Sequence, residues 1–67
     1  MKAVLKKISA NIRKYKKNLS LKELAVKAGI SPRTLYSVYY NQENDIKLST
    51  VIAIAKALGV SIDKLID

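Results

Sequence analysis

Residues 23–40 read ELAVKAGISPRTLYSVYY, and the order Gly29, Ile30, Ser31, Pro32 leaves little freedom in local structure. Glycine reaches the left-handed conformation that ends a helix without a Cβ clash. Serine accepts from the unpaired N–H groups of a new helix, and proline fits its first position because the N–H it lacks would have no partner there. The stretch therefore predicts one helix stopping at Gly29 and a second starting at Ser31. Ahead of it, Ser20 and Glu23 have the spacing of a capping box, with Leu19 and Leu24 as its hydrophobic staple. Leu21, Leu24, Ala25 and Ala28 would form that helix's buried face. Ile30 and Leu35 staple the second helix in the same way. At about 100° per residue, Leu35, Val38 and Tyr39 share one side, while Arg33, Tyr36, Ser37 and Tyr40 share the other. One face packs and the other is offered outward.

The rest of the chain reads as helix too. Met1, Leu5, Ile8, Ile12 and Tyr15 form a single stripe running to about Lys17, with Lys6, Lys7, Arg13, Lys14, Lys16 and Lys17 largely off it. A fourth helix is predicted over roughly 48–58, with Leu48, Val51, Ile52, Ala55 and Leu58 inward, Gly59 as its stop, and Asp45 or Ser49 as its cap. Val51, Ile52 and Ile54 are β-branched, but their spacing and the lack of a partner strand decide for helix. A short fifth helix follows Ser61, stapled by Val60 and Leu65. Residues 41–45 form a polar loop in which Asn41 suits a left-handed stop. No repeat, linker or low-complexity segment interrupts this pattern. The expectation is an all-α domain of five short helices over residues 1–67.

Composition limits how such a domain holds together and what it can do. A 67-residue chain hides only about 60% of its unfolded surface. It has neither cysteine nor histidine, so its core must come from close helix packing. No apolar run approaches the roughly 18 residues of a membrane span, and no secretory signal is visible; a cytoplasmic location is expected. Ten of the thirteen Lys/Arg lie within residues 1–33, beside Glu23 alone among the acids. The other half carries Lys47, Lys56 and Lys64 against Glu43, Asp45, Asp63 and Asp67. The net charge of +8 is thus one-sided, which suits an anionic partner, nucleic acid or membrane surface; a merely solvated lysine face is the alternative. Enzymatic chemistry is not expected, because nothing here activates a nucleophile and no Gly-rich phosphate loop is present. Glu43 and Asp45 share one acidic turn, read as solvated, and no metal or cofactor is expected.

Two helices joined through a glycine corner make a helix-turn-helix motif, whose second helix can lie in the major groove of DNA. The motif would span about residues 20–40, with Ala25 small where the helices cross and Ile30, Leu35 and Val38 locking the pair. Over residues 8–66 the text NIRKY, LSLKELAVKAGISPRTLYSVYYNQ and LSTVIAIAKALGVSIDKLI resembles the phage-repressor family, Cro- and cI-like, also called XRE. The resemblance implies a five-helix lambda-repressor-like domain that binds a double-stranded operator as a two-fold dimer and regulates transcription, as a repressor. It implies that Pro32, Arg33, Tyr36 and Ser37 face the bases. Ser20, Leu21 and Lys22 would meet a phosphate at the start of the second helix, and Ser31, Thr34, Tyr40, Asn41 and Gln42 would reach the backbone. Arg33 is the strongest base reader, since its planar fork can bond guanine O6 and N7 together. For Tyr40, packing against a neighbouring subunit is an equal alternative.

Three departures from the family pattern stand out. Leu21 occupies a place where the family often has glutamine, and Pro32 one that commonly reads a base. The family often pairs an arginine near the end of helix 1 with a glutamate late in helix 3; Lys16 and Tyr39 are aligned with those places, so that ion pair is expected to be missing. Ile62, Leu65 and Ile66 are candidates for a dimer surface. The main competing function is a helical module that binds an anionic membrane or an acidic protein through basic helix 1. A structured-RNA binder is a third, disfavoured because a helix cannot enter the narrow A-form major groove.

Overall fold

The computed structural model describes the backbone of residues 2–40 and 46–67 and the side chains of residues 6–40 and 46–67. Within them lie five helices: α1 (Lys2–Lys16), α2 (Leu21–Ala28), α3 (Pro32–Tyr39), α4 (Leu48–Leu58) and α5 (Ile62–Ile66). All the predicted helices form, with the Gly29 and Gly59 stops and the starts after Ser20, Ser31 and Ser61 at their expected places. The Asn41 stop and the Asp45 cap fall outside the described residues, as do the side chains of Met1 and Leu5.

Each helix contributes to one core. Ile8 and Ile12 from α1 meet Leu24 and Ala25 from α2, Leu35 and Val38 from α3, Val51, Ile54 and Ala55 from α4, and Leu65 from α5. Helix α1 packs against α3 and α5, α2 packs against α3 and α4, and α4 closes onto α5. Burying an aliphatic side chain is worth roughly 1.5–3 kcal/mol, so in a domain this small each of these residues is a sizeable share of the stability.

Helix α4 is rotated relative to its expected face. Leu48, on the stripe the spacing predicts inward, is 68% exposed, while Ile54, off that stripe, is fully buried. The reason is that α4 is apolar nearly all round, so periodicity does not choose a face, and Leu48 stands in the first turn, ahead of the core. Nor does Ser49 cap the helix. Lys47 holds the cap position, with no side-chain bond, and Ser49 lies within the first turn.

The serine signals at the starts of α2, α3 and α5 are met. Ser20, Ser31 and Ser61 accept from Glu23 N, Thr34 N and Lys64 N. In the α2 box, Glu23 returns its bond to the Ser20 hydroxyl, which donates to Oε1 at 3.0 Å.

The corner between α2 and α3 recurs between α4 and α5. Ile30 N bonds Ala25 O and Val60 N bonds Ala55 O, each at 3.1 Å, while Gly29 N reaches Val26 O and Gly59 N reaches Lys56 O. Gly29 and Gly59 sit at φ 70° and 71°. These are two Schellman closures, formed by Ala25, Gly29, Ile30, Ser31, Leu35 and again by Ala55, Gly59, Val60, Ser61, Leu65. The chain read as free of repeats therefore holds one at the scale of a corner.

Candidate nucleic-acid interface

The α2–α3 corner determines which side of α3 faces out. With Gly29 left-handed and Ser31 capping, α3 leaves the corner with Leu35 fully buried and Val38 nearly so. Pro32 and Arg33 are exposed in its first turn, and Tyr36 and Tyr40 are 40% and 58% exposed. Ser37 is half-buried. The outward group of Arg33, Tyr36, Ser37 and Tyr40 is thus brought together on one side, with Ser37 at its edge and Tyr40 just past the helix end as its cap. Thr34 is exposed and tied to the cap, its hydroxyl 2.8 Å from that of Ser31.

At the start of α2, Ser20 and Lys22 are exposed, whereas Leu21 is half-buried and packs against the core. Leu21 therefore has only its backbone N–H to offer a ligand. The first N–H groups of a helix lack intrahelical partners and sit at the positive end of its dipole, so they favour an anion. Asn41 and Gln42 lie outside the described residues.

A cleft of about 470 Å³ runs beside α3, with Ser31, Thr34 and Val38 on one wall and Lys47, Ser49 and Thr50 from the start of α4 on the other. Lys47 is a cleft residue that the sequence pattern does not mark. It is one of only three basic residues in the second half of the chain, and nothing in the sequence places it beside Thr34.

Arg13 is a second residue that the sequence pattern does not mark. The residue of α1 that meets Tyr39 is Arg13, not Lys16: Arg13 Nε donates to the Tyr39 phenol oxygen at 3.2 Å, and its guanidinium carbon lies 5.3 Å from the ring centroid. Lys16 turns instead to the end of its own helix, where its ammonium donates to Leu19 O at 3.2 Å. The buried hydroxyl of Ser9 donates to the Tyr39 carbonyl, so α1 holds Tyr39 at both its main chain and its ring. Of the three dimer candidates, Leu65 is fully buried in the core and drops out, while Ile62 is half-buried and Ile66 is 37% exposed.

A family model described as Helix-turn-helix (HTH_3) matches residues 10–65, from the middle of α1 through α5. The chain belongs to this family, the XRE-type helix-turn-helix proteins of Cro and cI kind. It is a DNA-binding transcription regulator, and double-stranded DNA is its partner. No curated protein and no solved structure gives a significant match. Among the described residues no helix is long and apolar enough to cross a membrane.

Proposed function

We propose that the protein is a repressor that lays α3 in the major groove of a duplex operator. The observation that carries this reading is the exposure of Arg33 in the first turn of α3, opposite the buried Leu35 and Val38. An arginine there can offer its fork to guanine O6 and N7. Pro32, Tyr36 and Ser37 supply shape, apolar contact and one hydroxyl to neighbouring base edges. Ser20, the Leu21 N–H and Lys22 hold a phosphate on one side of the groove. Ser31, Thr34 and Tyr40, with Asn41 and Gln42, hold the backbone on the other.

One such helix reads few base pairs, so two copies on half-sites a helical turn apart make the working unit. Ile62 and Ile66 are the candidates for the contact between copies, acting on DNA in the cytoplasm. The lysines of α1 supply sequence-independent attraction that weakens with salt as counterions are released. A membrane role for α1 is disfavoured, because Ile8 and Ile12, the apolar residues it would insert, are fully buried in the core.

Selecting duplexes from a random pool tests this reading. The selected duplex, a scrambled duplex, structured RNA and anionic vesicles are then titrated at two salt concentrations. The expected result is a palindromic selected site, bound most tightly and with a steep loss of affinity as salt rises. Preference for vesicles or RNA over every duplex would overturn it.

A further inference from the structure

Tyr39 is the residue by which α1 grips the end of α3, and the contact continues outward. Tyr40 meets Tyr39 edge-on, with ring centroids 5.1 Å apart and planes at 88°. Tyr36 lies 6.5 Å from Tyr40, tilted at 57°. A continuous run of contacts therefore leads from Ser9 and Arg13 on α1, through Tyr39, to the two tyrosines exposed on the outward face of α3. An exposed tyrosine at a helix end samples several rotamers, and ordering it at a binding surface has an entropic cost. A neighbour that orders it beforehand removes part of that cost from the binding step. Edge-to-face rings have directional preference, so holding Tyr39 biases the angle of Tyr40, whose ring in turn lies tilted beside that of Tyr36.

Arginine suits this role for a geometric reason. Its planar fork can stack over an aromatic face and donate to the phenol oxygen together. A lysine ammonium carries the same charge without the plane. We infer that Arg13 is a positioning residue for operator recognition: acting through Tyr39, it sets the outward tyrosines of α3 and so sharpens discrimination between the preferred duplex and others. This rests on the reading that α3 faces the bases.

The test uses the whole chain as Arg13→Lys, Arg13→Gln, Tyr39→Phe and the double variant Arg13→Gln with Tyr39→Phe. Each is measured for its affinity ratio between selected and scrambled duplex, for the salt dependence of binding, and for melting temperature. Arg13→Lys is expected to lower the ratio about fivefold, the scale of one exposed contact, because the ammonium keeps either the ring contact or the bond to the phenol oxygen and not both, with the salt dependence unchanged. Arg13→Gln should lower the ratio equally, and adding Tyr39→Phe to it should lower it little further. Full discrimination in Arg13→Lys would make the residue a bare charge and overturn the inference. So would a double variant whose loss is the product of the two single losses, since Arg13 and Tyr39 would then act independently. A fall in melting temperature with equal loss on both duplexes would mark Arg13 as a structural brace and overturn it as well. The parent is read first: a parent that favours no duplex sinks the reading of α3 itself, whereas a discriminating parent with equally discriminating variants sinks only the role of Arg13.

Discussion

The corner at Gly29 opens an eight-residue helix with Pro32, Arg33 and Tyr36 exposed along it. The corner at Gly59 opens a five-residue helix that carries Asp63 and Lys64, with Asp67 at its end. The turns themselves match, with the same backbone closure, the same serine cap, and one fully buried leucine at the same step, Leu35 and Leu65. Helix α1 holds both helix ends, through Ser9 on the Tyr39 carbonyl and Asn11 on the Leu65 carbonyl, the latter at 2.6 Å. Those carbonyls have no partner within their own helices, so each bond satisfies a group that burial would otherwise penalise. What separates the corners is length and charge. Helix α5 is about 7.5 Å long against about 12 Å for α3, and its acids would repel a phosphate backbone. A glycine corner is thus a way of locking two helices, and the residues displayed beyond it decide whether it can read DNA.

This equivalence has measurable consequences. Leu35→Ala and Leu65→Ala should each destabilise the domain by about 2–5 kcal/mol. A core of this size contributes only about 3–5 kcal/mol in total, so circular-dichroism melts should find both variants at or near unfolding at room temperature. A mild Leu65→Ala would show that the second corner is peripheral to the fold and break the comparison. In binding the corners should part. Arg33→Ala is expected to weaken the selected duplex by about 1–3 kcal/mol and to relax preference at one base pair, whereas Lys64→Ala should leave affinity unchanged. Equal losses from the two would remove the distinction between them.

Smaller effects probe the turns. A Cβ added at Gly29 or Gly59 meets nothing within 4 Å, so the cost of Gly29→Ala or Gly59→Ala is the left-handed backbone alone, about 1–2 kcal/mol at either site. Denaturant midpoints that differ widely between the two would point to a strain present at only one corner. Ser31→Ala and Ser61→Ala should each cost about 1 kcal/mol, read by faster hydrogen exchange at Thr34 N and Lys64 N. The join between α1 and α2 is the contrasting case. There Lys17 sits at φ 51°, a left-handed position filled by a residue with a Cβ, and Lys17→Gly should raise stability by about 0.5–1 kcal/mol.

What could be read from the sequence follows the range of each interaction. Caps, staples and glycine stops act within a few residues, so Ser20, Gly29, Ser31 and Ser61 are legible directly. The outward face of α3 is legible because that helix has apolar residues on one side only, leaving Arg33 and Tyr36 nowhere else to go. Helix α4 lacks this contrast: Val51, Ile52, Ile54, Ala55 and Leu58 surround it, so Leu48 and Ile54 exchange roles when the neighbouring helices choose a face. The contacts of Arg13 and Ser9 with Tyr39 depend on how α1 crosses α3, across 26 and 30 positions of chain, and no local pattern encodes that crossing. Lys47 is hidden for the same reason, since its place across the cleft from Thr34 arises only when α4 packs against α2.

Recognition rests on α3, and not its twin corner or the basic helix, meeting the bases. Titrating ¹⁵N-labelled protein with the duplex it selects tests this residue by residue through amide shifts. The largest changes should fall on Ser20–Lys22 and on Ser31–Ser37, with Ser61–Ile66 nearly still. Changes centred on Ser61–Ile66, or spread along α1 with Arg33 and its neighbours silent, would contradict it.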